Sequence, residues 1–223
     1  MFTAGGLNIT ARTPFGSPCA SIEAAKEEIR ALLLQPPSSV TDFERFRLDY
    51  LVKYLEATHV PIHTGQFLSL ALGGTWTLKY SNVILSRPDA SLTHQISQLI
   101  TPAANHSHGT LINRISWNLD RPNDVGSGVL EVHCSYTVSS KGGLALSLQD
   151  HVLNIEQLPQ DAEEVVMTMQ RTIPFQLFDP DGATTSTTYV DPWMRISRVT
   201  GPIFRELFEV YFRESERERE RGE

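Results

Sequence analysis

The histidines are the first place to look for chemistry in these 223 residues. His106-Ser-His108 sets two imidazoles two residues apart, a spacing that could offer two ligands to a metal ion. The pair lies in a polar loop, and no third ligand stands at a recognisable distance along the chain, so solvated histidines and no metal are expected. His133 falls on the polar phase of a strand-like segment, and His151 falls where the alternation turns irregular. A general base at either position has no nucleophile or orienting acid beside it in sequence. Phosphate loops, dinucleotide fingerprints and Gly-x-Ser-x-Gly elbows are missing, and the glycines of Val125-Gly-Ser-Gly128 and Lys141-Gly-Gly143 read as hairpin turns. The expectation is a protein that is not an enzyme and needs no cofactor.

A second group of residues suits binding better than catalysis. Met167 and Met169 share a phase with Val165, and flexible thioethers adapt to irregular apolar shapes. Trp76, Tyr80, Trp117 and Tyr136 all fall on apolar phases of strand-like segments. Large aromatics at such positions either plug a core or wall a cavity; periodicity leaves both uses open.

Composition narrows the partners. With 19 Lys plus Arg against 26 Asp plus Glu, the net charge is −7, and no basic block is present to hold a phosphate backbone, so nucleic acid is not an expected partner. No apolar run reaches the roughly 18 residues of a membrane-spanning helix. Cys19 and Cys134 are too few and too far apart for a disulfide framework and read as reduced thiols.

The elements that would position these residues change character along the chain. Residues 1–20 read as a flexible leader with the composition of a targeting remnant. Ser21 to Gln35 has a Ser cap and an apolar stripe of Ile22, Ala25, Ile29, Leu32 and Leu33, which predicts a helix stopped by Pro36-Pro37. Thr41-Asp-Phe-Glu44 has capping-box spacing and opens a second helix whose apolar positions are Phe43, Phe46, Tyr50, Leu51 and Tyr54 or Leu55. A third helix is predicted from Thr64 to Leu72, closed by Gly73-Gly74.

From Thr75 the period falls from 3.6 to 2. Strands are predicted for Thr75–Ser81, for the segments holding Leu92–Ile100, Leu111–Leu119, Leu130–Val138 and Leu144–Leu148, and around Val165–Leu177, Thr185–Arg198 and Ile203–Phe212. Some eight one-sided strands joined by short turns suit an antiparallel barrel, open or closed, wide enough for one small ligand. A two-sheet sandwich competes on pattern alone. The segment 213–223 alternates Arg and Glu and reads as a solvated charged tail.

At Leu72-Gly-Gly-Thr-Trp-Thr-Leu-Lys-Tyr-Ser81 and again at Thr188-Tyr-Val-Asp-Pro-Trp-Met-Arg-Ile-Ser-Arg198 the chain resembles the plastid lipid-associated protein, or fibrillin, family. The motif positions are Gly74, Trp76, Leu78 and Tyr80 in the first anchor. In the second they are Tyr189, Asp191, Arg195, Ile196, Ser197 and Arg198. The resemblance covers roughly residues 21–212 as one domain, helices over 21–72 and barrel over 73–212. It implies a lipocalin-like barrel in a plastid, soluble or peripheral to thylakoids or lipid globules. It further implies non-enzymatic binding of a carotenoid, quinone or other isoprenoid or acyl lipid. A plastid enzyme is a further candidate partner. Competing readings are an interaction module with a filled barrel, a pigment-handling lyase or isomerase on the same fold, and a cytoplasmic location. Residues expected at the ligand are Trp76, Tyr80, Trp117, Tyr136, Met167, Met169 and Arg195. Trp76 and either Arg195 or Arg198 are expected to meet where the barrel closes.

Overall fold

A computed structural model describes residues 21–34, 40–59, 65–82, 92–121, 124–140, 142–161, 163, 166–167, 169, 173–201 and 207–213. The leader and residues 214–223 of the tail lie outside them. The chain divides into two compact units, 1–58 and 59–223. The division falls at the end of the second helix, so the third helix belongs with the strands.

The first unit holds two helices, α1 (Ile22–Leu33) and α2 (Asp42–Thr58). Ser21 caps α1, its Oγ accepting from the Ala24 amide at 3.1 Å. At α2 the capping box closes in both directions: Thr41 Oγ1 accepts from the Glu44 amide, and Glu44 Oε2 accepts from the Thr41 amide at 2.8 Å. An Arg47–Glu28 ion pair at 2.6 Å ties the two helices together. The buried stripe of α2 is Leu48, Leu51, Val52 and Leu55, whereas Phe43, Phe46 and Tyr50 are exposed. The aromatics had suggested a different face; the i, i+3, i+4, i+7 spacing of the aliphatic residues decides it.

The second unit opens with α3 (Gly65–Leu72) and continues as eight antiparallel strands. These are β1 (Gly74–Ser81), β2 (Leu92–Pro102), β3 (His108–Arg121), β4 (Asp124–Val138), β5 (Leu144–Gln157), β6 (Thr184–Val190), β7 (Met194–Thr200) and β8 (Leu207–Arg213). Each strand pairs with the next, and β1 pairs with β8, closing the sheet into a ring. A closed ring leaves no sheet edges along the paired stretches, which resolves the choice between barrel and sandwich.

Two departures from the predicted strands offset each other. The run Thr185–Arg198 is a hairpin, β6 and β7, turned by Asp191, whose Oδ1 accepts from the Trp193 and Met194 amides at 2.7 and 2.8 Å. The described residues of the run Val165–Leu177 form no strand. Glu163, Val166, Met167 and Met169 are helical, and a one-turn helix α4 (Phe175–Phe178) follows Pro174. Met169, Ile173 and Leu177, four residues apart, are buried, and the Ile173 amide donates to the Met169 carbonyl at 2.8 Å. The apparent period of two at 165, 167 and 169 overlapped a true period near four.

Across β2 to β5 the inward side chains line up in rows. One row runs His94, Trp117, Gly128, Ile155; the next Ile96, Ile115, Leu130, Leu153; the third Gln98, Asn113, Val132, His151. Successive rows are two residues apart along a strand, about 7 Å. A bulge opposite His133 and Cys134 explains the irregular alternation near His151. Strands β5 and β6 share only the pairs Leu144–Thr185 and Ala145–Thr184, and β5 continues to Gln157 beyond them.

Candidate binding site inside the ring

Most inward positions are apolar, so the polar exceptions define the site. Leu111, Ile115, Trp117, Leu119, Leu130, Val132, Cys134 and Tyr136 form the β3 and β4 wall of the core. The facing β7–β8 wall carries Arg195, Ser197, Glu209 and Tyr211, all buried, and Gln98 and Asn113 extend it through β2 and β3.

Register places Arg195 opposite Tyr211 and Ser197 opposite Glu209. The Arg195 guanidinium carbon lies 4.2 Å from the Tyr211 ring centroid and 5.3 Å from that of Trp76. Arg195 Nη2 donates to Gln98 Oε1, Gln98 Nε2 donates to Asn113 Oδ1 at 2.9 Å, and Asn113 Nδ2 donates to the Leu177 carbonyl at 3.1 Å. Glu209 accepts from Gln176 Nε2 at 2.9 Å on one carboxylate oxygen and from the Tyr211 hydroxyl at 2.8 Å on the other. His151 Nε2 contacts the Phe178 carbonyl at 2.8 Å. Side chains from β3, β5 and β8 thus hold α4 across the ring.

Burial dominates the electrostatics. It pushes the Glu209 carboxyl above the usual carboxylate range against the opposing pull of Gln176, Tyr211 and Arg195. It also lowers the Arg195 pKa, while a guanidinium remains charged at neutral pH. Arg195 Nε and Ser197 Oγ are buried with no hydrogen-bond partner, as is Trp117 Nε1.

The closure region differs from the expected contact by one added residue. Arg195 does approach Trp76, but a second guanidinium, that of Arg213, lies closer, 4.3 Å from the ring centroid. Arg213 also donates to the carbonyls of Ala71 at 2.6 Å and Gly73 at 3.1 Å, and Trp76 Nε1 donates to the Leu72 carbonyl at 2.8 Å. Arg213 therefore ends the barrel rather than beginning the charged tail. Gly74 sits between these groups at φ +112°, a conformation that L side chains rarely adopt. Arg198 faces the other side of β7, 6.0 Å from the Phe208 ring.

The expected ligand residues divide. Trp76, Trp117, Tyr136, Met169 and Arg195 are buried in the second unit. Tyr80 is not inward: the register shifts between Leu78 and Tyr80, which puts Tyr80 opposite Val210 and its ring 5.7 Å from Phe208 on the outer face. Met167 is 44% exposed on its helical turn. Tyr189 is also outward, its ring 5.0 Å from His59 and its hydroxyl donating to Asp191 at 3.0 Å, so the Tyr-x-Asp pair shapes the β6–β7 turn. His106 and His108 stand in and after a turn, and among the described residues no group of three or more potential ligands could hold a metal.

Gln98, Asn113, Gln176, Glu209 and Tyr211 were not singled out from sequence, and Ser197 stood out only as a position of the second motif. Gln98 between Ile96 and Ile100, Asn113 between Leu111 and Ile115, and Glu209 between Leu207 and Tyr211 are polar residues at apolar phases, which is the signal that could have found them.

No protein-family model matches the chain, and no curated protein matches it.

Proposed function

We propose that this chain binds a mainly apolar small molecule inside its ring of strands and carries it without transforming it. The observation that supports this reading is an inner face that reaches solvent. Leu153 and Ile155 lie in the same rows as the buried Leu130 and Trp117, yet each is 44% exposed, because β5 runs past its last β6 partner. An apolar surface continuous with the barrel interior is a mouth suited to an apolar ligand. The family resemblance gives the ligand a class, a carotenoid, quinone or other isoprenoid or acyl lipid, and a setting in a plastid at lipid globules or thylakoids. The plastid setting and the lipid contact rest on that resemblance alone.

The test is an organic extract of the purified protein. A near-stoichiometric apolar compound is the expected result, and a protein that yields none and takes up none from a lipid extract overturns the reading.

A second reading has its own observation. Met169, Ile173 and Leu177 enter the core, and α4 is tied to Asn113 and Glu209, so the chain fills part of its own ring. On that reading the barrel is a scaffold for a protein partner, and the extract is empty.

A further inference from the structure

We infer that Arg195 and Ser197 form a headgroup site for an amphiphile bearing a carboxylate, held at the polar wall with its apolar part directed toward Leu153 and Ile155. The inference rests on the ligand-in-ring reading above and adds the chemistry of the ligand.

Arg195 is a buried cation, 1% exposed, and forms no ion pair among the described residues, Glu209 acting on it only from beyond that distance. The one acid in the same layer, Glu209, has both oxygens engaged, by Gln176 and by Tyr211. Burial raises its pKa against the opposing pull of Arg195. Arg195 is met by two aromatic faces, the Gln98 amide oxygen and a hydrogen bond to Tyr211, with Glu209 attracting it from beyond ion-pair distance. Removing a cation from water costs several kcal/mol and is recovered only by a partner of opposite charge with well-made hydrogen bonds.

Two polar groups on one face of β7 are unused. Arg195 Nε and Ser197 Oγ are both buried and unpartnered, and they are two residues apart on β7, hence on one face. A carboxylate accepts from two donors at once, and guanidinium is suited to supply one of them.

The span to the mouth fits an extended tail. Gln98, which Arg195 holds, shares its row with His151; Leu153 is one row further and Ile155 two. Two rows are about 13–14 Å along the strands, to which the crossing of the ring from β7 to β5 adds, and a long acyl or polyene chain exceeds that axial distance.

The test measures binding of two carboxylates, oleate and retinoate, each against a neutral counterpart, methyl oleate and retinol, by calorimetry on the full chain. At least one acid should bind about tenfold or more tightly than its neutral counterpart, the effect of one charge-assisted hydrogen bond. Arg195→Met should erase that preference, and Ser197→Ala should weaken the acid by roughly two- to tenfold. Should Arg195→Met not fold, the acid–neutral comparison in wild type and Ser197→Ala decides alone. Equal binding of acid and neutral forms overturns the headgroup site and leaves the ligand-in-ring reading standing. Binding of none of the four overturns both. A preference for oleate alone identifies an acyl ligand, and a preference for retinoate alone an isoprenoid one.

Discussion

Arg195 and Tyr211 face each other across the β7–β8 ladder, guanidinium carbon 4.2 Å from ring centroid, while the Tyr211 hydroxyl donates to Glu209. One tyrosine thus stands between the buried cation and the buried acid, hydrogen-bonded to both. The two arginines of this region then serve different ends, and their substitutions should diverge.

Arg213 is structural. It covers Trp76 and satisfies two carbonyls at the α3–β1 junction. Arg213→Ala should cost about 1–3 kcal/mol, the sum of a cation–π contact and carbonyl hydrogen bonds. Arg195→Met relieves the desolvation of a buried cation, several kcal/mol, which offsets the two cation–π contacts and the Gln98 bond that it removes. Urea unfolding of ligand-free protein should therefore rank Arg213→Ala below wild type and Arg195→Met at or above it.

Glu209 should make stability fall as pH rises. Its folded pKa is raised, so between the ordinary carboxylate value and the raised one the native state holds more protons than the unfolded chain. Unfolding free energy declines with pH through that window, and the contribution is fully present below it. Melting temperatures of Glu209→Gln, compared with wild type from acid to neutral pH, should show a flatter dependence. An unchanged profile would mean that Glu209 is ionised at ordinary cost.

Cys134 is buried, and its thiol is pushed up to about 11 by burial, with Asp181 and Asp179 adding to the shift. In a Cys19→Ser background, alkylation at pH 8 should run about 100-fold more slowly than for an unperturbed thiol, because the thiolate is the reacting form. Urea should restore the ordinary rate.

Gly128 gives Trp117 its place. A Cβ there would stand 2.5 Å from the Asn154 carbonyl oxygen and 2.8 Å from Trp117 Cζ2. Gly128→Ala should cost about 1–3 kcal/mol by overpacking, and a near-neutral result would show that the β4–β5 pair can move aside.

Much of the fold was legible because period-2 stretches specify which face is buried, as in Leu111 to Leu119. Ser21 and Thr41 likewise announced their helices. Register faults were legible only in part. The bulge opposite His133 and Cys134 showed as irregular alternation near His151, whereas the shift before Tyr80 moves that residue across the sheet with no change of residue type to mark it. The site was half legible. Trp76 and Arg195 were paired through their motifs, whereas Tyr211 and Glu209 acquire their role only when β8 closes on β1 and β7.

The central claim is that a ligand occupies the ring between the mouth and the polar wall. Nuclear magnetic resonance of methyl- and nitrogen-labelled protein titrated with oleate and with retinoate tests it most directly. The account predicts shifts for the methyl groups of Leu153, Ile155 and Ile115 together with the Nε–H of Arg195, saturating at one equivalent. Shifts confined to outward residues such as Val125, or no shifts with either acid, would contradict it.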